Sequence, residues 1–283
     1  MVKQPSKTGV LYIVATPIGN LEDVSARAIR TLGEVDLIAA EDTRLSRKLT
    51  NHYGIQAHMV PYHDHNETQQ ARKLVNRLMK GQDVALICDA GTPLISDAGY
   101  RLVRLAQQNR ILVTPIPGPC AAITALSIAG LPTDRFIFEG FLPVKTESRR
   151  RRLQSLKDET RTLVFYESVH RIVATLRDMV AIFDGDREAV VARELTKQFE
   201  TIKRDSLTHL LEWLTLAPRF RKGEFVILVH GRGAVGESSD ESARVLSLLL
   251  EALPTSQAVD LAAGITGTSR NTLYRLALKI TGA

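Results

Sequence analysis

The 283-residue chain predicts an α/β fold of two successive domains with a small helical unit behind them, and three observations carry that expectation. Apolar, β-prone runs alternate with stretches of helical spacing through the first 130 residues. The runs at 11–20, 85–99 and 111–125 each pass into a loop rich in Gly and Pro. In an open parallel sheet the carboxyl ends of the strands form one ligand crevice, and such loops expose backbone N–H and C=O groups with little side-chain cover. Beyond residue 135 the rhythm shifts toward strands that look antiparallel.

Residues 10–15 read as a first strand, 24–32 as a helix and V-D-L-I-A-A-E-D at 35–42 as a second strand ending in acids. Helical spacing returns at 67–79, followed by a strand at 84–88, a helix at 99–108 and a strand at 111–116. This βαβα order predicts a mostly parallel sheet with helices on both faces. A helix at 120–129 is entered from P-G-P, where Pro119 accepts the fixed φ of a first turn. The second block places strands at 135–143, 162–168, 188–194 and 224–230 and a helix at 170–180. The Gly- and Ser-bearing segment 231–240 reads as a linker. Helices at 241–253 and 257–265, and a third after a Gly turn with a Thr/Ser cap, resemble a helix-turn-helix unit that would present Arg270, Asn271, Tyr274 and Arg275. The domains expected are therefore 1–117, 118–232 and 241–283.

Composition narrows the function. An apolar content of 44% supports sizeable cores, and no apolar run approaches transmembrane length. The N-terminal residues lack the apolar core of a signal peptide, and Cys88 and Cys120 form no C-x-x-C pair, so a reduced cytoplasm is expected. The net charge of +6 is a mild pointer to a polyanionic partner. Loop 15–20, A-T-P-I-G-N, is not a G-x-G-x-x-G, the acids Glu41 and Asp42 come late for a ribose contact, and no phosphate-loop motif occurs. What remains is a ligand held by backbone groups of Gly/Pro loops, chiefly the one opened by Asp89. H-D-H at 63–65 has no third spaced ligand, so a polar surface or a substrate-side loop is expected there and no metal. Glu41 to Arg44 reads equally as a strand-end ion-pair network with a helix cap or as catalytic, and Tyr166 as a strand-end packing residue.

Seven blocks then occur in order: V-A-T-P-I-G-N-L-E-D (14–23), A-A-E-D-T-R (39–44), C-D-A-G-T-P-L-I-S-D-A-G (88–99), P-G-P-C-A-A (117–122), G-F-L-P (140–143), F-Y-E-S-V-H-R (165–171) and R-E-L-T-K (193–197). Together they resemble the signature of the tetrapyrrole methylase superfamily, in the branch that methylates small-subunit ribosomal RNA. Cys88 and Cys120 stand where Ser is expected, and Ala98 and Val169 where Pro is expected.

The resemblance implies two α/β domains of tetrapyrrole-methylase type with S-adenosylmethionine (SAM) in the cleft between them, a homodimer, and methylation of the 2′-oxygen of a cytidine in the decoding region of 16S rRNA. It places Ile18, Asp89, Gly91, Thr92, Ile95, Gly118, Cys120, Ala121, Tyr166, Leu195 and Glu224 around the cofactor. A ribose hydroxyl needs a base, and Asp42, Asp97, Glu167 and Lys197 are the candidates. The run Arg149, Arg150, Arg151 and Arg152 is expected on RNA phosphates, and the C-terminal helical unit reads equally as a dimer prop or as a further RNA contact through Arg270 and Arg275. The rival readings are a methylase of a small tetrapyrrole and a non-catalytic RNA-binding or ribosome-assembly protein.

Overall fold

The structure, a computed structural model, describes residues 8–232, 240–266, 268 and 270–281. Its first sheet contains β1 (Val10–Val14), β2 (Leu37–Ala40), β3 (Met59–Pro61), β4 (Val84–Ile87) and β5 (Leu112–Ile116), all parallel in the order β3-β2-β4-β1-β5. β2 and β4 are buried along their whole length, as strands covered on both faces must be. Leu37 and Ala39 join one core with Leu74, Leu78 and Leu102, from α3 (Glu67–Met79) and α4 (Tyr100–Gln108). Ile38 and Ala40 join the opposite core with Ala28 and Leu32 of α1 (Ala26–Glu34). The neighbours β1 and β4 thus lead to helices on opposite faces, which opens a crevice at their carboxyl ends.

The parallel sheet and its helices match the expectation, but α2 (Thr43–His52) and β3 were not anticipated. α2 buries only Ser46, Leu49 and Thr50 and has just two apolar residues, Leu45 and Leu49, while β3 has three residues and ends in Pro61.

The second sheet holds β6 (Phe136–Phe141), β7 (Thr162–Glu167), β8 (Glu188–Arg193), β9 (Thr201–Ser206) and β10 (Phe225–Val229), in the order β6-β7-β10-β8-β9. Only β6 and β7 run parallel, so the sheet is mixed. α5 (Ala121–Ala129) covers one face, where Ala122, Ala125 and Leu126 meet Val164, Val190 and Val226. The other face is covered by α6 (Thr146–Ser155), α7 (Ile172–Phe183) and α8 (Leu207–Leu216). α9 (Asp240–Ala252), α10 (Thr255–Thr266) and α11 (Arg270–Thr281) close around Leu246, Ala258, Val259, Ala262, Leu273 and Ala277. Of the expected linker, residues 233–239 lie outside the described residues.

The arginine run lies on α6, and its placement corrects the expectation that all four side chains face RNA. Arg149 is 5% exposed and donates from Nε to Asp178 Oδ2 at 2.7 Å, while Arg150 Nε reaches Asp178 Oδ1 at 2.7 Å. Arg152 holds Glu139 through two bonds of 2.7 Å. These pairs join α6 to α7 and β6, because a buried carboxylate such as Asp178 must be matched by charge-assisted donors. Arg149 is unavailable to phosphate, and Arg150 and Arg152 are committed to carboxylates. Arg151 alone of the four is exposed with no ion pair among the described residues.

Arg149→Ala is therefore expected to cost about 3 kcal/mol, the usual effect of leaving a buried charge without its main partner. Urea denaturation checks this; an unchanged midpoint would return Arg149 to the surface.

Candidate active site

Where the strand ends of the two sheets face each other they enclose a cavity of about 390 Å³, within the range of small-molecule sites. The first sheet contributes Ile18 after β1, Glu41 after β2 and the loop from Asp89 to Asp97 after β4. The second contributes Tyr166 and Glu167 of β7, Leu195 after β8, and Glu224 to Val226 at the start of β10. Cys120 and Ala121, at the entry of α5, complete the lining with Phe141.

Backbone contacts shape the floor. Thr16 N donates to Gly91 O at 2.8 Å and Gly91 N returns a bond to Thr16 O at 3.1 Å, while Thr16 Oγ1 donates to Cys88 O at 3.1 Å. Gly91 has φ +90°, and a Cβ there would stand 3.4 Å from Ile18 Cγ2. Thr92 Oγ1 ties this loop to Pro119 O at 2.9 Å. Leu94 and Ser96 hold φ of 73° and 70°, and Glu194 and Thr196 of 53° and 64°. Side chains in that region cost about 1–3 kcal/mol each, and their concentration around one cavity is a signature of a working site. On the far wall Tyr166 Oη accepts from Ala122 N at 3.1 Å, and its ring meets Phe141 edge-on at 5.6 Å.

Five carboxyls line the cavity, Glu41, Asp89, Asp97, Glu167 and Glu224, and the first three are raised. Burial, then the nearby Asp97 and Asp89, push Glu41 above the ordinary carboxylate range. Asp97 is raised first by burial and further by Asp89 and Asp64, against a hydrogen bond from the Cys88 thiol. Asp89 is raised by burial although its Oδ1 accepts from Asp42 N at 2.9 Å. A concave wall of mutually repelling carboxyls attracts a cation.

The other three base candidates are committed elsewhere. Asp42 caps α2 and is held down at about 2 by its hydrogen bonds from Arg44. Glu167 is buried; its Oε1 accepts from Ser168 N at 2.8 Å and its Oε2 from Thr175 Oγ1 at 2.6 Å. Burial would lower the Lys197 pKa, but Glu224 at 2.8 Å and Glu194 at 3.0 Å outweigh it and hold the ammonium charged. Asp42 and Lys197 are also outside the cavity lining.

Gly118 is outside it too: a Cβ there would stand 2.9 Å from the Ala15 Cβ, so this glycine serves the close packing of loop against strand. Ile18, Asp89, Gly91, Thr92, Ile95, Cys120, Ala121, Tyr166, Leu195 and Glu224 are brought together as expected residues of one lining. Phe141, Ser96, Ser168 and Val226 were not anticipated. Glu41 had a readable signal, since both β2 and β4 run into acids and parallel pairing sets Ala40 beside Ile87. His63 and His65 sit with ring centroids 5.9 Å apart, and His63 Nε2 lies 3.1 Å from Asn66 Nδ2. Arg270 pairs with Asp260, and Arg275 is exposed.

Residues 10–211 match the profile of the tetrapyrrole (corrin/porphyrin) methylases, and 236–281 match the RsmI C-terminal HTH domain. The chain belongs to the tetrapyrrole methylase family. It is 53% identical over 277 residues to ribosomal RNA small subunit methyltransferase I of Pseudomonas aeruginosa, covering 97% of this chain and 98% of that one. The protein of the same name from Escherichia coli O157:H7 is 52% identical, covering 97% and 96%. Among solved structures, cobalt precorrin-4 methyltransferase shares the fold with a TM-score of 0.59 at 18% identity, covering 81% of this chain and 98% of that one. Thermus thermophilus uroporphyrin-III C-methyltransferase, complexed with S-adenosyl homocysteine, gives 0.54 at 19% identity, covering 80% and 98%.

The raised carboxyls make a stability prediction with a definite sign. A group whose folded pKa exceeds its unfolded value binds more protons when folded, so stability falls as pH rises through that window. The combined Glu41→Gln and Asp97→Asn changes should stabilise the protein at pH 7 by about 1 kcal/mol, a figure already discounted for solvent screening of half-exposed groups. The gain should vanish under acid conditions, where both carboxyls are protonated. Melting curves across pH check this, and a net loss at pH 7 would contradict it.

Proposed function

We propose that the chain is a SAM-dependent methyltransferase of small-subunit ribosomal RNA, acting on the 2′-oxygen of a cytidine in the decoding region. The observation that carries this reading is the cavity formed by the family's strand-end loops, in a chain about half identical over nearly its whole length to relatives named for that RNA. The lining fits the cofactor. Glu41, Asp89 and Asp97 favour its cationic part, the Asp89–Ile95 and Cys120–Ala121 loops present backbone groups, and Ile18, Leu195, Val226 and Phe141 offer an apolar slot for adenine. When bound, SAM supplies an activated methyl group.

The chain's own work is positioning and proton removal. Rigid loops on two sheets hold donor and acceptor in alignment, the largest contribution available to an in-line displacement. Asp97 takes the ribose proton: of the four base candidates it alone faces the cavity with a carboxyl not saturated by partners, and burial moves it toward working pH. A homodimer and a cytoplasmic location accompany this reading. The second rests on the rRNA substrate and on Cys88 and Cys120 being free thiols. Among the described residues no helix is long and apolar enough to cross a membrane.

Methyl transfer from labelled SAM to 16S rRNA lacking the modification, followed by nucleoside analysis, should yield 2′-O-methylcytidine, and a 2′-deoxy target should give none. Label on a base, or transfer to the deoxy target, would contradict the assignment. Asp97→Asn should lower kcat by about 10²–10⁴-fold, far more than it raises the KM for SAM, and should abolish the acid limb of the pH profile. A retained limb would remove Asp97 from the role of base.

A further inference from the structure

The seam between α3 and α4 forms a groove of about 490 Å³ lined by Thr68, Arg72, Tyr100, Arg101, Arg104 and Gln108. Its charge is only partly compensated. Arg101 is spent on Glu67, 3.2 Å away, and on Thr68 Oγ1 at 3.1 Å. Arg72 and Arg104 are exposed and form no ion pair among the described residues. Tyr100 is 64% exposed, a large aromatic surface to leave in water without a packing partner.

The groove also begins three residues along the chain from the active-site wall. Tyr100 opens α4 directly after Gly99, three positions from Asp97 in the cavity wall. Glu67 Oε1 accepts from Gly99 N at 3.1 Å and from Arg101 N at 3.1 Å, so the first turns of α3 and α4 are fixed to each other beside that wall. From there α4 runs for about 13 Å. A basic groove with an exposed ring at its mouth has the composition of a single-strand track: guanidinium forks meet phosphates, and a ring stacks on any base.

We propose that this groove binds a single-stranded segment of the RNA substrate next to the target nucleotide, with Arg72 and Arg104 on phosphates and Tyr100 stacked on a base. The inference rests on the functional reading above and names where the strand leaves the cavity. It also replaces part of the electrostatic role that the run Arg149 to Arg152 does not supply. A second copy of this chain is a poorer occupant, because the groove's own lining contains no acid to pair with its arginines across a two-fold axis.

The test uses the full chain and a fluorescein-labelled 16S rRNA fragment containing the target cytidine, titrated between about 50 and 200 mM salt. Arg72→Ala combined with Arg104→Ala should flatten the dependence of log K on log salt by about 0.7 for each lost phosphate contact. Tyr100→Ala should weaken binding about tenfold with the slope unchanged, and Tyr100→Phe should restore it. SAM affinity should stay at the wild-type value in all three. Lys80→Ala combined with Arg177→Ala removes the same charge elsewhere and should leave the slope nearly intact. The proposal is overturned if the paired arginine variant keeps the wild-type slope, if the control loses as much, or if only self-association changes. Wild-type protein that neither binds nor methylates the fragment would defeat the functional reading itself, a result distinct from methylation with unaffected variants.

Discussion

The two-bond bridge between Thr16 and Gly91 is the contact on which the site depends. It joins the loops that follow β1 and β4, the adjacent strands whose chains depart to opposite faces of the first sheet. Without it the crevice at the switch point would be a solvent-filled gap between two independent turns. With it, one strand-end loop becomes the floor of a cavity whose other wall is the second sheet. The join between sheets is equally close: a Cβ on Gly19 would stand 2.9 Å from Leu195 O. At the first junction the two bonds run main chain to main chain, while Gly19 also packs against the Thr196 and Lys197 side chains, so neither glycine has room for a side chain without displacing a neighbour.

That arrangement sets function against stability. Left-handed φ at Leu94, Ser96, Glu194 and Thr196 stores strain on both walls, and Glu41, Asp89 and Asp97 are held where their charges repel. The surrounding structure carries this cost through cores on both faces of each sheet. A cation entering the cavity relieves the repulsion, so part of the energy stored in the empty fold becomes affinity.

Much of this was legible in the sequence because strand ends announce themselves. The run before Asp89 is apolar and stops at that acid, two residues ahead of Gly91, the run at 111–116 stops at Pro117, and the expected helix at 67–79 coincides with α3. α2, β3, α6 and β9 were not read. α2 carries only two apolar residues, Leu45 and Leu49, α6 is mostly charged, and the strands are a three-residue piece and a charged edge, T-I-K-R-D-S. α8 carries a helical signal in Leu207, Leu210 and Leu214, although no element was expected there. In the site, loop residues came together as expected because the glycine and proline pattern fixes main-chain placement. Charged residues fared worse. The partner of Arg149 lies 29 positions away on α7, and no local pattern reveals that Asp178 is buried there. Gly118 was assigned to the ligand because a glycine needed for packing and one needed for ligand approach look alike in sequence.

The central claim, that the loop after β4 is the cofactor floor, is tested most directly by calorimetric titration of SAM into the wild-type chain and into Gly91→Val. Valine at this position is strained by φ +90° and carries its methyls toward Ile18 in the cavity wall. Gly91→Ala, smaller but equally confined to that φ, serves as the second variant if valine disturbs folding. One SAM bound per wild-type chain, with binding lost in Gly91→Val and weakened in Gly91→Ala while both still melt cooperatively, is the predicted result. Wild-type affinity in a cooperatively folded Gly91→Val protein would contradict the account.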